Sequence, residues 1–419
     1  MIRLIEAKGY RCLKYVRQPL GPFHVLVGPN ASGKTTFLDV VAFLGQLVSE
    51  GLEAAIGERT QNFDDLVWQR SGGGFELAIE ARIPGEYRDK IWKKESDIVR
   101  YEVSLGEDET GQVTFRAERV LFRISSDEPE TSIQRTLFPL CEEPPTTIMR
   151  AGGLRVTQTV VSKSLGGNDN FTPENRETKK KWAPSFRSGP RKSALGNLPE
   201  DESNFPVSTW LKRLLSDGIQ RFVLNSMLIR RASPPGKGRT FKTDGSNLPW
   251  VVEHLRKTAP SRIEDWIKHL QTALPDLEQI KTIERPEDKH RYLVLGYKGG
   301  LEIPSWMASD GTLRLLALTL PAYIPELKGV YLIEEPENGI HPRAVQTMFQ
   351  SLSSVYDAQV LLATHSPIIL SMVEPDKVLC FAKTSEGATD IVLGSQHPAL
   401  KEWRGETDLG ALFAAGVLG

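Results

Sequence analysis

The residues best equipped for chemistry lie in the run Gly28-Pro29-Asn30-Ala31-Ser32-Gly33-Lys34-Thr35-Thr36. It follows an apolar stretch, Phe23 to Val27, and opens an apolar-periodic one through Phe37, Leu38, Val40, Val41, Phe43 and Leu44. Strand, glycine loop and helix come in the order that a phosphate-binding loop requires. Glycines let backbone N–H groups turn toward phosphate oxygens, and the helix aims the positive end of its dipole at the same point. In such a loop Gly28, Asn30, Ala31, Ser32, Gly33 and Thr36 surround the phosphates. Lys34 reaches the β- and γ-phosphates, and Thr35 offers Mg²⁺ a hydroxyl. The plainer reading, a glycine-rich turn with no ligand, leaves the flanking strand and helix unexplained.

Three later segments carry further candidates. Ala308-Ser309-Asp310-Gly311-Thr312 opens an apolar helix, and a small, hydroxyl-bearing helix N-terminus attracts anions. Read alone, Ser309 is equally an ordinary N-cap. Val330 to Ile333 is an apolar strand ending in Glu334 and Glu335. At the carboxyl edge of a parallel sheet, one such carboxylate can serve the Mg²⁺ shell and its neighbour can orient or deprotonate a water. Without the upstream loop the pair reads as an acidic turn. Val360 to Ala363 is another apolar strand, followed by Thr364 and His365; a lone His is usually structural, but at a strand end it can bond a γ-phosphate.

The elements that must position these residues can be read coarsely. Residues 1 to 8 read as a strand, Gly9 to Leu13 as a turn, and the hairpin is expected beside the loop-bearing strand, where Arg11 is either a surface charge or a nucleotide contact. Phe75–Ala81, Val99–Leu105, Val113–Ile124 and Leu154–Val161 alternate or bunch as strands of an antiparallel sheet. Polar residues dominate from Asp127 to Phe205; Asn175–Lys192, basic and with Trp182 and Phe186 interspersed, reads as a solvated insertion, with a nucleic-acid contact as the alternative. Val207–Leu215 reads as a helix, Phe222–Leu224 and Met227–Ile229 as buried strand, and Ser246 or Asn247 as the cap of a helix through Leu255. A helix over Ile263–Leu274 and strands over Leu277–Ile283 and Tyr292–Tyr297 follow. No heptad repeat persists, which excludes a long coiled-coil arm.

Bulk properties narrow the class. With 419 residues, 40% hydrophobic, and Lys+Arg 52 against Asp+Glu 53, the chain is long enough for several domains and has no global basic field. Cys12, Cys141 and Cys380 fit no metal or redox spacing and read as free thiols of a reducing compartment. The absence of a signal-like start and of a long apolar run predicts a cytoplasmic protein without a membrane span.

Together, GPNASGKTT, ASDGT, YLIEEPENGIHP and ATHSP resemble the motifs of the ABC-type ATPase superfamily, and most closely its compact soluble branch related to RecF and SMC proteins, also described as AAA-type or OLD-like. The likeness is close over roughly residues 1–50 and 300–415 and loose between them. It implies an α/β P-loop NTPase, an ABC-type ATPase head with an antiparallel β subdomain and a helical middle subdomain. The expected parts are an N-terminal lobe (1–125), a middle region (126–300) and a C-terminal lobe (301–419). It further implies ATP and Mg²⁺ as cofactors, with Lys34 and its loop on the phosphates and Thr35 and Glu334 on Mg²⁺. Glu335 becomes the catalytic carboxylate and His365 the switch histidine. Ser309, Asp310 and Gly311 become a signature capping the γ-phosphate across a homodimer, or higher homo-oligomer, that sandwiches ATP. Asn338–His341 fall in the loop joining the two sites, and Arg11 matches an early arginine near nucleotide and signature. Walker B carries Glu334 where Asp is usual, and Asp310 stands where transporters have Gly, which argues against a transporter subunit. Gln69 is a weak match to the Q-loop. The segment Asp408–Phe413 is similar to tails of this branch, and no nuclease-type acidic cluster follows His365. The implied role is a DNA-related ATPase of prokaryotic repair or anti-phage defence; the alternative is an ATP-gated scaffold holding an effector such as a nuclease or toxin.

Overall fold

The computed structural model describes residues 1–125, 135–140, 143–150, 158–175, 183–238, 240–325, 327–400, 409–414 and 416. In chain order its strands are β1 (Ile2–Tyr10), β2 (Leu13–Pro19), β3 (Phe23–Val27), β4 (Gly74–Arg82), β5 (Ile98–Glu107), β6 (Val113–Arg123), β7 (Gln158–Ser164), β8 (Asp169–Phe171), β9 (Ser185–Phe186), β10 (Ile219–Phe222), β11 (Leu277–Glu284), β12 (Arg291–Tyr297), β13 (Leu301–Pro304), β14 (Val330–Glu334), β15 (Gln359–Ala363), β16 (Val378–Lys383) and β17 (Thr389–Leu393). The chain divides into two units, one built mainly from Met1–Ile219 with Pro375–Trp403, the other from Gln220–Glu374 with Arg404–Gly416.

In the first unit, alternating strands form an eight-stranded sheet in the order β2-β1-β4-β5-β6-β7-β8-β9. The expected antiparallel sheet is therefore present, but the β1–β2 hairpin belongs to it and does not flank β3. Leu20-Gly21-Pro22 separates the hairpin from β3, and Pro22 cannot donate to a ladder. The early part of the expected strand from Leu154 lies outside the described residues; β7 starts at Gln158. β5 is buried from Ile98 to Gly106, so one of its faces carries charge inside. Arg100 there meets Glu6 at 2.8 Å, Glu102 at 2.7 Å and Glu80 at 3.3 Å. Burial without such partners would cost several kcal/mol per ion, on the order of the effective desolvation penalty. The segment 143–150 covers the same face: Ile148 O accepts from Arg100, and Arg150 N donates to Glu102. β3 pairs in parallel with β16, which pairs antiparallel with β17. The helix Lys34–Ser49 follows β3, its apolar positions buried. Cys380 is buried, which pushes its thiol up to about 12, while Cys12 is half-buried and Cys141 lies outside the described residues.

In the second unit, β14 and β15 pair in parallel with Glu334 opposite Ala363, joined by the crossover helix Pro342–Ser353. β11, β12 and β13 form a separate antiparallel sheet. Helices Leu248–Thr258 and Pro260–Leu270 accompany it, the latter beginning at Pro260, where a first-turn proline fits, and ending before the expected Leu274. The expected strand at Met227–Ile229 is instead the helix Ser226–Arg230: the Asn225 side chain accepts from Met227 N and Leu228 N, a cap that an apolar triplet does not reveal. Val223 and Met227 are exposed rather than buried. Asn247 stands at the N-cap of its helix but spends its side chain on Lys242 N, Gly238 O and Thr240 O. Among the described residues no helix is long and apolar enough to cross a membrane.

Candidate functional site

The glycine loop is shaped by the strands behind it. Gly28 has φ 149°, and a Cβ there would lie 2.2 Å from Phe381 O on β16. Gly33 has φ 105°, and a Cβ there would lie 2.2 Å from Thr389 Oγ1 on β17. Neither position tolerates a side chain. Thr389 Oγ1 donates to Ser32 O at 2.9 Å, and Thr389 N donates to Cys12 O, so β17 ties the loop to the turn after β1. Ala31 adopts φ 61°, a conformation that costs a non-glycine residue about 1–2 kcal/mol and fits a loop closing round a ligand.

Lys34 is the first residue of the helix, and its ammonium donates to Gly28 O at 2.8 Å and Pro29 O at 3.0 Å. The charge is thus folded over the mouth of its own loop. No acid occupies the first helical turn, so the dipole's positive end is not compensated from within. Ser32 Oγ is buried without a hydrogen-bond partner, while Asn30, Ala31 and Thr35 are exposed and Thr36 is half-buried. A lysine folded onto loop carbonyls, an orphaned hydroxyl and a Cβ-free cradle fit a polyphosphate.

Arg11 takes φ 49° and lies 3.3 Å from Asp39 on the following helix. Asp39 also receives Arg59 at 2.7 Å and the Tyr10 hydroxyl at 2.7 Å. Burial raises the Tyr10 phenol well above its ordinary range, and the Asp39 charge raises it further. Arg11 is therefore engaged in a charge cluster at the helix, a partner that its sequence neighbours do not disclose. Gln69 sits in a tight turn with φ 51°.

The second unit brings the other candidates together. Glu334, half-buried at the end of β14, accepts from Arg221 of β10 at 2.8 Å. Glu335 takes φ 47°, and its N–H donates to Ala363 O. Its carboxylate accepts from Asn338 Nδ2 at 2.5 Å and lies 4.0 Å from His365 Nε2. Glu337 accepts from the Thr364 hydroxyl at 2.6 Å and from His365 N at 3.1 Å, fixing the end of β15 against the loop after β14. Its other oxygen is buried without a hydrogen-bond partner.

Ser309 caps the helix Asp310–Thr319, its hydroxyl accepting from Thr312 N at 3.1 Å. Arg230 holds Asp310 through Nε at 3.0 Å and Nη2 at 2.5 Å, and donates to Trp306 O at 3.1 Å. A Cβ on Gly311 would lie 2.7 Å from Gly339 O, so the helix start and the loop after Glu335 touch backbone to backbone. Loop 335–341 thus abuts the helix start and joins the carboxylates to the His365 strand end. Among the described residues no group of three or more His, Cys, Asp or Glu is arranged to hold a metal by itself. Thr389, Arg221 and Arg230 lie outside the motifs, and Glu337 lies within one but had no role assigned to it. Only β17 had a signal: an apolar run, the turn Thr384-Ser385-Glu386-Gly387, and a second apolar run suggest a hairpin.

A family model described as "AAA domain, putative AbiEii toxin, Type IV TA system" matches residues 23–371. An OLD nuclease of Thermus scotoductus (strain ATCC 700910 / SA-01) is 44% identical over 41 residues, 10% of this chain and 8% of that protein. Among solved structures, an Smc head bound to the C-terminal winged-helix domain of ScpA superposes with TM-score 0.53 at 14% identity, covering 93% of this chain and 96% of that one. An Smc head domain with an extended coiled coil, bound to the C-terminal domain of ScpA derived from Pyrococcus furiosus, gives TM-score 0.51 at 13% identity, with 93% and 95% covered. The chain therefore has the fold of an SMC head.

Proposed function

Because this chain belongs to that AAA-domain family and is an ABC-type, SMC-like ATPase head by motif and fold, we propose that it binds and hydrolyses ATP as a conformational switch. The observation that carries the reading is the loop at Gly28–Thr36, whose two glycines admit no Cβ and whose Lys34 is turned onto loop carbonyls. Backbone N–H groups and Lys34 hold the triphosphate. Thr35 and Glu334 are the residues that would hold Mg²⁺, which when bound supplies charge neutralisation at the phosphates. Glu335, whose carboxylate accepts from Asn338, is assigned to take a proton from the attacking water, and His365, whose backbone N–H is held by Glu337, is assigned to bond the γ-phosphate.

Ser309, Asp310 and Gly311 are assigned to the γ-phosphate of a second copy, so that ATP closes a homodimer and hydrolysis opens it. Moving such a pair from mostly open to mostly closed takes about 5.5 kcal/mol of differential affinity. Charge-assisted contacts to a triphosphate are of the right strength for that. The stretch shared with the OLD nuclease supports a nucleic-acid setting; DNA repair or anti-phage defence is the role that the motif resemblance adds. A separate effector is the second reading, supported by the toxin named in the family description and by the ScpA domain bound to the Smc heads.

Light scattering of Glu335→Gln tests this. ATP–Mg²⁺ should raise the mass, and duplex DNA should shift it again with a steep salt dependence. A mass that stays monomeric with ATP bound sinks the dimer switch. A closed dimer indifferent to DNA turns the search to a protein partner.

A further inference from the structure

Two arginines outside every motif hold the acids of two motifs in the second unit. Arg221, on β10 beside β14, reaches Glu334 Oε1 at 2.8 Å. Arg230, on the helix that follows, holds Asp310. The Arg221 contact bears directly on metal binding. Glu334 stands where an aspartate is usual, and its extra methylene carries the carboxylate further from the β14 backbone.

We propose that Arg221 is a resident counter-cation for Glu334 which competes with a divalent ion for the carboxylate's charge, so that Arg221 sets how strongly Mg²⁺ promotes nucleotide binding. The inference rests on the assignment of Glu334 to the metal site. The guanidinium at 2.8 Å from Glu334 Oε1 draws on the charge that the carboxylate would offer a metal and repels a divalent cation brought to it. Arg221 is 45% exposed and Glu334 25%, so water screens the pair. That places the effect near the top of the range for surface ion pairs, about fivefold in an equilibrium constant, rather than the far larger effect of a buried pair.

The test measures the dissociation constant of a fluorescent, non-hydrolysable ATP analogue in EDTA and in excess Mg²⁺, and takes the ratio of the two. Arg221→Gln should raise that ratio about fivefold, and Arg221→Lys, which keeps the charge but loses the planar fork, should raise it less. In a Glu334→Gln background the Arg221→Gln change should leave the ratio unmoved. A ratio that is unchanged or lower in Arg221→Gln overturns the proposal, as does an equal rise with Glu334→Gln already in place. If the wild-type protein binds the analogue in neither buffer, the ATP reading fails and takes this inference with it. Binding with an unmoved ratio overturns this inference alone.

Discussion

Thr389→Val removes a single hydroxyl from the floor of the phosphate loop. Thr389 is 3% exposed, donates to Ser32 O at 2.9 Å, and stands where a Gly33 side chain would be. Valine keeps the volume but cannot donate, so the Ser32 carbonyl is left against a methyl group. An unsatisfied buried acceptor costs about 1–3 kcal/mol. Where that cost appears depends on the loop. If the loop keeps its shape without nucleotide, the whole cost falls on stability. At roughly 2–4 °C per kcal/mol for a unit of this size, the melting temperature then drops by roughly 2–12 °C. If the loop relaxes locally instead, nucleotide must restore its shape. The cost then appears in affinity, as about fivefold to a hundredfold weaker binding, with little loss of Tm. Differential scanning calorimetry and titration of a fluorescent ATP analogue, run on the same protein, separate the two. Thr389→Ser, which retains the donor, should behave as wild type in both. A valine variant with Tm within about 1 °C and affinity within about twofold of wild type refutes the claim that β17 holds the loop.

Lys34→Ala should weaken nucleotide binding by tenfold or more, the order expected for losing a charged hydrogen-bonding partner, as read by equilibrium titration. Glu335→Gln should keep ATP affinity within about threefold while lowering hydrolysis by about a hundredfold or more, the usual contribution of a positioned general base, in a phosphate-release assay. Gly311→Ala puts a methyl group 2.7 Å from Gly339 O and must displace the loop after Glu335; hydrolysis should fall while first-unit nucleotide affinity holds, and an unaltered turnover number would count against the contact. Glu174 caps the helix Pro206–Ser216 from a buried position, accepting from Val207 N and Ser208 N, and burial pushes its carboxyl up from 4.5 to about 7. The folded state then binds the extra proton between those values, so this group's contribution is full below about pH 4.5 and is lost as pH rises toward 7. Thermal melts from pH 5 to 7.5 should show a fall in stability that Glu174→Gln flattens.

The sequence disclosed the parts of the site that local order determines. A strand, a glycine loop and a helix must be neighbours in the chain to make a phosphate cradle, so Gly28–Thr36 could be read directly. The acidic strand end and the His365 strand were legible for the same reason, as short apolar runs ending in polar residues. What holds those parts was not local. Gly33 excludes a side chain because of Thr389, more than 350 residues further along, and it takes the parallel pairing of β3 with β16 and the antiparallel pairing of β16 with β17 to bring the two together. Arg11 was open between a surface charge and a nucleotide contact; its guanidinium meets Asp39, a pairing of the turn after β1 with a helix face that no sequence spacing encodes.

Met227–Ile229 failed for a different reason. Three apolar residues have no period, and the side chain of Asn225 rather than their hydropathy decides for a helix. That misreading mattered, because the same stretch carries Arg230, and Arg221 lies just before it. Motifs name residues that touch the ligand, so they report which chemistry is available. The charges opposing Glu334 and Asp310 come from a segment with no motif at all, and their grip must be loosened, or kept, each time the site fills. Control of the switch is therefore to be sought in residues 219–231 before it is sought in the motifs.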